Sequence, residues 1–225
     1  MGRFADLLER PSDLRYAFDK GAVALLRGIV WQILHLRRPR PLFLGAGIKF
    51  VSAHNLRLGG DVSIGAHSYI ETSARKLVVF GNRVTLRENA WVQCRSGLNA
   101  KGEGLEIGDN TYIGPNAVIG VGGKITIGQG CQIGAGVSFA AERHEFHDGA
   151  YTTGVVSRTG IAVGAGCWFG NNVTVLDGVE IGAGCVIGAC STVTRSIPAG
   201  SVAFGSPAKV MRSTQGGAPA RGIEV

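Results

Sequence analysis

Two of the five histidines in this 225-residue chain stand three residues apart, His144 and His147, within the run AERHEFHDGAYTTGVVSRTG. An imidazole titrates near pH ~6.5, so either ring can accept and return a proton at neutrality. Proton transfer is therefore the first chemistry to weigh, and metal binding the second. An open zinc site needs three histidines on separate elements. After residue 100 only His144 and His147 occur, close together, so no metal is expected. His35, His54 and His67 read as solvated residues. The cysteines (Cys94, Cys131, Cys167, Cys185 and Cys190) form no Cys-x-x-Cys pair and are odd in number, which argues against a disulfide framework. They read as small buried thiols of a reducing compartment.

The element that must position these histidines is a repeat. From about Leu58 the chain keeps a six-residue period: LGGDVS, IGAHSY, then IGDNTY, IGPNAV, IGQGCQ, IGAGVS, VGAGCW, FGNNVT, IGAGCV, IGACST. Each hexad opens on Leu, Ile, Val or Phe, Gly usually follows, and a small or β-branched residue comes fifth. Such a phase, held over most of the chain, signals stacked short strands and turns rather than a helix face. The first and fifth residues should point inward, and the glycine should let the backbone turn. The phase breaks between Phe139 and Ile161, around the two histidines, and more briefly at Arg95–Gly104. Insertions loop out of a solenoid to one side, where function tends to sit.

Composition agrees. The 36 glycines are roughly twice the usual share, yet there are only 7 prolines and 45% apolar residues, so a folded repeat is favoured over disorder. The net charge of +7 is uneven: residues 1–50 hold nine Lys/Arg against four Asp/Glu, residues 205–225 carry +2, and the rest sums to zero. No helix-turn-helix, finger or RNA-binding motif accompanies it, so no nucleic-acid partner is expected. Residues 13–38 predict a basic amphipathic helix, with Leu14, Phe18, Leu25, Leu26, Ile29, Val30, Ile33 and Leu34 spaced by three and four. Its longest charge-free run, Gly28–Leu36, is too short to span a bilayer. Its apolar face would meet an anionic membrane or pack on the protein or a neighbouring subunit. No secretory signal is read in residues 1–10.

The hexads, with the closing phrase IGAGCVIGA, VTRSIP and GSPAKVMR, resemble the hexapeptide-repeat O-acetyltransferases, in particular the maltose/galactoside acetyltransferase branch and its polysaccharide-acetylating relatives. The resemblance covers about residues 58–212. It implies a mainly β fold: a left-handed parallel β-helix, here with an N-terminal amphipathic α-helix. The organisation expected is a helical segment at 1–50, a β-helix at 51–212 with a catalytic loop at 140–160, and a flexible tail at 213–225.

The resemblance also implies roles. His144 matches the general base, with His147 at a variable place. Glu142, Glu145 or a backbone carbonyl would orient the ring. Acetyl-CoA would be the acyl donor. Asn171, Ala189, Thr194, Arg195, Lys209 and Arg212 match positions that contact the coenzyme, with Arg195 replacing a lysine. Trp168 would flank the pantetheine or turn a corner. Asn89 is a candidate for acceptor binding. The implied protein is a cytoplasmic homotrimer, at the inner membrane face if residues 13–40 touch lipid. It would acetylate a sugar hydroxyl of a surface polysaccharide or glycolipid. A small-molecule acetyltransferase (antibiotic, amino-sugar nucleotide or serine) and a non-catalytic scaffold are the alternatives.

Overall fold

A computed structural model describes residues 18–97, 100–147 and 150–213. The hexad repeats in space as it does in sequence. Its first and fifth residues are buried, as at Ile127, Cys131, Ile133 and Val137. The last residue of one hexad and the first of the next make a short strand, for example Gln132–Ile133. The chain then turns at the fourth place, where Asn110, Asn116, Asn172 and Gly184 have φ of 57°, 60°, 57° and 66°. Asn and Gly tolerate this left-handed geometry.

The second-place glycine does a different job from the one its sequence pattern suggests. It is not the turning residue. A Cβ on Gly164 would lie 2.4 Å from the Ala183 amide nitrogen in the next coil, and one on Gly128 would lie 2.5 Å from that of Ala165. The glycine lets successive coils approach, and the turn falls two places later.

Three sheets result, of nine, seven and six strands, parallel except for the last strand of the nine; they form the three faces of a left-handed β-helix. The first strands of these faces are Leu42–Leu44, Lys49–Val51 and Leu56–Leu58. Equivalent residues stack in register, as in Trp91–Val118–Ser138–Thr174 on the second face. The interior is a column of aliphatic side chains with Phe80, Phe139 and Phe169 among the largest.

The coil stack starts earlier than the sequence pattern indicates. Its first coil opens at Leu42, so a boundary at residue 50 falls inside it. Leu44-Gly45-Ala46-Gly47-Ile48-Lys49 is a hexad in register, but the following FVSAHN lacks the glycine and hides the phase. A π-helical turn, Phe18–Val23, leads into helix α1, Ala24–Leu34. Residues 13–17 of the expected helix lie outside the described residues. Helix α1 caps the open end of the first coil, and with Arg37 just beyond it touches all three faces. Gly28 meets the Leu42 carbonyl, Trp31 lies 4.7 Å from the Phe50 ring, and Arg37 donates to the carbonyls of Leu56 and Ala53. The buried residues are Ala24, Gly28 and Gln32, and Trp31 packs half-buried beside them; Leu26, Val30, Ile33 and Leu34 face outward. At the other end, Ser201–Gly205 and Ala208–Ser213 form an antiparallel hairpin on the first face. The rest of the tail, 214–225, lies outside the described residues.

Candidate functional site

Both breaks of the repeat leave the same corner, between the second and third faces. The first follows the strand Trp91–Gln93 and is a small hairpin, Arg95–Gly97 against Ala100–Lys101. The second follows Ser138–Ala140 and is a longer one, Arg143–His147 against Ala150–Ser157. One ordinary coil runs between them and carries Val121-Gly122-Gly123 at this corner. Small residues there leave a cavity of about 150 Å³ lined by Gln93, Arg95, Gly122, Ala140 and Glu142, among others. A Cβ on Gly122 would lie 2.6 Å from the Glu142 Cβ, so glycine is what allows Glu142 its place.

His144 sits at the stem of the longer hairpin, two residues beyond Glu142, opposite Val156, and is exposed. His147 pairs through its backbone with Ala150 near the tip. Asp148, part of the His-x-Phe-x-Asp motif, lies outside the described residues.

Arg158 is a residue that sequence reasoning passed over. Its Nε and Nη2 both donate to Glu142 Oε2 at 2.8 Å, and its Nη1 reaches the Lys101 carbonyl at 3.2 Å. Both side chains of this ion pair are about four-fifths buried, so water screens it little. The arginine thus ties the foot of the longer hairpin to the smaller one, close in the fold to His144. The only sequence signal was a Glu and an Arg at the two ends of one insertion.

Glu71 supports the same corner from the coil below. Its carboxylate accepts the Ser73 amide at 2.6 Å and the Cys94 amide at 2.8 Å. Burial, and then the Glu71 charge, push the Cys94 thiol up to about 12. The thiol beside the cavity therefore stays protonated at neutral pH and is a poor nucleophile.

A second, larger cavity of about 780 Å³ opens on the first face, toward the C-terminal end. The stacked side chains Tyr112, Gln132, Trp168 and Val186 line it, with Asn171, Ala189 and Phe204. Trp168 is 46% exposed, a face residue in this cavity rather than a corner. Asn171 Oδ1 also accepts the Ala135 amide at 2.8 Å, which holds the side chain against the corner. Lys209 pairs with Phe204, and Arg212 with Val202, across the terminal hairpin, and both partners line the cavity. Four of the six residues matched to coenzyme contacts are thus in or beside one groove. Thr194 and Arg195 are not: they follow the strand Thr192–Val193 of the second face and lie exposed at the next corner. Asn89, with φ 59°, lies at the turn from first to second face. It is away from the hairpin corner, in coils nearer the N-terminus than the groove.

In a triangular prism the corner between the second and third faces is opposite the first face. Within one chain, His144 and the large groove are therefore on opposite sides.

Residues 160–195 match the bacterial transferase hexapeptide family (six repeats), and residues 104–139 match the hexapeptide repeat of succinyl-transferase. Both matches fall within the six-residue repeat and together cover about a third of the chain. A hexapeptide-repeat-containing acetyltransferase of Vibrio cholerae, complexed with acetyl coenzyme A, shares 20% identity with this protein; the match covers 91% of this chain and 85% of that one, with a TM-score of 0.53. A Bacillus cereus N-acyltransferase, in complex with dTDP and 3-hydroxybutyryl-CoA, shares 12%, over 77% and 80%, with a TM-score of 0.51. A galactoside acetyltransferase in complex with coenzyme A shares 33%, over 57% of this chain and 64% of that one, with a TM-score of 0.47. The 33% matches thus span less than two thirds of the matched chains. No curated protein sequence matches significantly.

Proposed function

We propose that this protein is an acetyl-CoA-dependent O-acetyltransferase, with a sugar hydroxyl of a surface polysaccharide or glycolipid as acceptor. The observation that carries the reading is the first-face groove: a long apolar slot, lined by Asn171, Ala189 and Trp168, that ends beside the basic hairpin of Lys209 and Arg212. A slot with cations at one end suits a thin pantetheine arm and an anionic phosphate end. Acyl-CoA is also the class of ligand held by the Vibrio and Bacillus relatives.

In this reading His144 takes the proton of the acceptor hydroxyl as its oxygen attacks the thioester carbonyl. The tetrahedral oxyanion collapses, the C–S bond breaks, and the proton passes to the leaving coenzyme A thiolate. No acyl-enzyme is needed, and the protonated Cys94 thiol fits that. The cavity between the hairpins would receive the acceptor. Since His144 and the groove lie on opposite sides of one chain, a neighbouring copy must bring them together. A homotrimer, with three sites between subunits, does so. The protein would work on the cytoplasmic side, at the inner face of a membrane reached through residues 13–40.

The test is acetyl-CoA turnover with a panel of sugars, sugar nucleotides and lipid-linked sugars. His144→Ala should abolish it and His147→Ala should not; the reverse outcome moves the base to His147. Calorimetry that detects no coenzyme binding would overturn the enzyme reading in favour of a scaffold.

A further inference from the structure

Helix α1 presents its face the opposite way to an ordinary surface helix. Amphipathic helices pack large apolar side chains inward. Here Ala24, Gly28 and Gln32 are the buried residues, and Leu26, Val30, Ile33 and Leu34 are 61%, 47%, 56% and 75% exposed. At 100° per residue Leu26, Val30 and Ile33 fall on one stripe, centred opposite Gly28. Leu36 follows just past the helix end. It is 97% exposed and has φ 53°, a conformation in which glycine is the usual choice. The stripe lies on the end of the prism and points away from the coils.

Beside this stripe lies a built cationic pocket. Between the C-terminal end of α1 and the first coil, a cavity of about 330 Å³ is lined by Trp31, Arg37, Arg38, Arg40, Arg57 and Leu58. Among the described residues none of the four arginines makes an ion pair. Arg37 is held in place by the Leu56 and Ala53 carbonyls and stacks over Trp31 at 5.0 Å. Burial and then the Arg57 charge lower its pKa. Residues 18–61 carry seven Lys/Arg and two Asp/Glu.

We infer that this end of the protein binds the surface of an anionic membrane, with the Leu26–Val30–Ile33 stripe in the acyl-chain boundary and a lipid phosphate in the pocket of Arg37, Arg38, Arg40 and Arg57. This deepens the membrane contact proposed above and does not depend on the acyl-transfer reading. The apolar stripe and the arginines occupy one end, as an interfacial helix with a basic flank requires. A second copy docked end to end would set the arginines against one another, so like charge disfavours that occupant.

Co-sedimentation of the full chain with vesicles tests this, using phosphatidylcholine alone and phosphatidylcholine mixed with phosphatidylglycerol. The protein should bind the mixed vesicles, bind the neutral ones far more weakly, and be released by salt. Arg38→Gln with Arg40→Gln should weaken binding about 20- to 30-fold, from about fivefold per charge. Leu26→Ser with Ile33→Ser should weaken it at least ~10-fold. Circular dichroism should be unchanged, since none of these four residues is buried. Equal binding to both vesicle types overturns the phosphate pocket. Absence of binding to either overturns the membrane contact as well. A drop in oligomeric state on Leu26→Ser with Ile33→Ser, seen by sedimentation velocity, would assign the stripe to a second copy instead. His144→Ala should bind vesicles like the wild type, so a failed acetyltransferase reading leaves the result readable.

Discussion

The regular coils and the corner that bears the two hairpins are built from one chain by opposite means. In the coils each position has a fixed task, and the same task recurs a coil later: inward at the first and fifth places, close contact at the second, turn at the fourth. At the corner nothing repeats. Arg158, Glu142 and the Lys101 carbonyl meet once, and His144 stands beside them once. A periodic scaffold gives stability that is shared among neighbours. A unique site must be braced by its own contacts. Mutations should therefore separate: where coils pack on one another they should cost folding, and at the corner they should cost activity while the fold remains.

The largest effect should come from the coils. Gly164→Val would place a Cβ where 2.4 Å separates it from the Ala183 nitrogen. The expected loss is about 3 kcal/mol or more, read as a drop in urea midpoint or as insoluble protein. A folded, fully stable variant would break the contrast. His144→Ala comes next, with kcat/KM down about 100- to 10,000-fold and the thermal midpoint unchanged. A large drop in stability would mean that this histidine is structural.

Ala189→Trp fills the first-face groove. Acetyl-CoA affinity by calorimetry should fall at least ~10-fold, while folding is little changed because the site is exposed. Arg158→Met, which keeps the side-chain length without the charge, should lower kcat about tenfold and leave the KM for acetyl-CoA unchanged, with partial rescue by Arg158→Lys. A change in KM alone would show that Arg158 does not position the hairpin. The smallest effect is that of Lys209→Ala. This exposed cation should contribute at most about fivefold to coenzyme affinity, and less at high salt.

Much of the contrast is legible in the sequence, but unevenly. The hexads expose the coils because neither a helix face nor an alternating strand yields a six-residue phase with a branched residue in first place. His144 is legible because it falls where the phase breaks. The task of the second-place glycine is easily misread, since a glycine wanted for close contact and one wanted for a turn look alike in sequence. The first coil escapes notice because FVSAHN lacks the glycine that marks a hexad. Arg158 escapes it too, because a lone Arg–Glu pair, sixteen residues apart, has no pattern until the hairpin folds.

By itself, then, the sequence determined the β-helix, the position of its interruptions, the basic character of both ends, and a histidine suited to proton transfer. These are local facts: periodicity, composition and residue chemistry act within a coil. Only the tertiary structure decided that both interruptions leave one corner, because insertions of different length erase the count of coils between them. Only it placed that corner opposite the groove of Asn171 and Ala189. It also decided which side of helix α1 faces out. Helical spacing reveals an apolar stripe, but the close approach that Gly28 permits to Leu42 turned Ala24 and Gly28 inward and left Leu26, Val30, Ile33 and Leu34 uncovered.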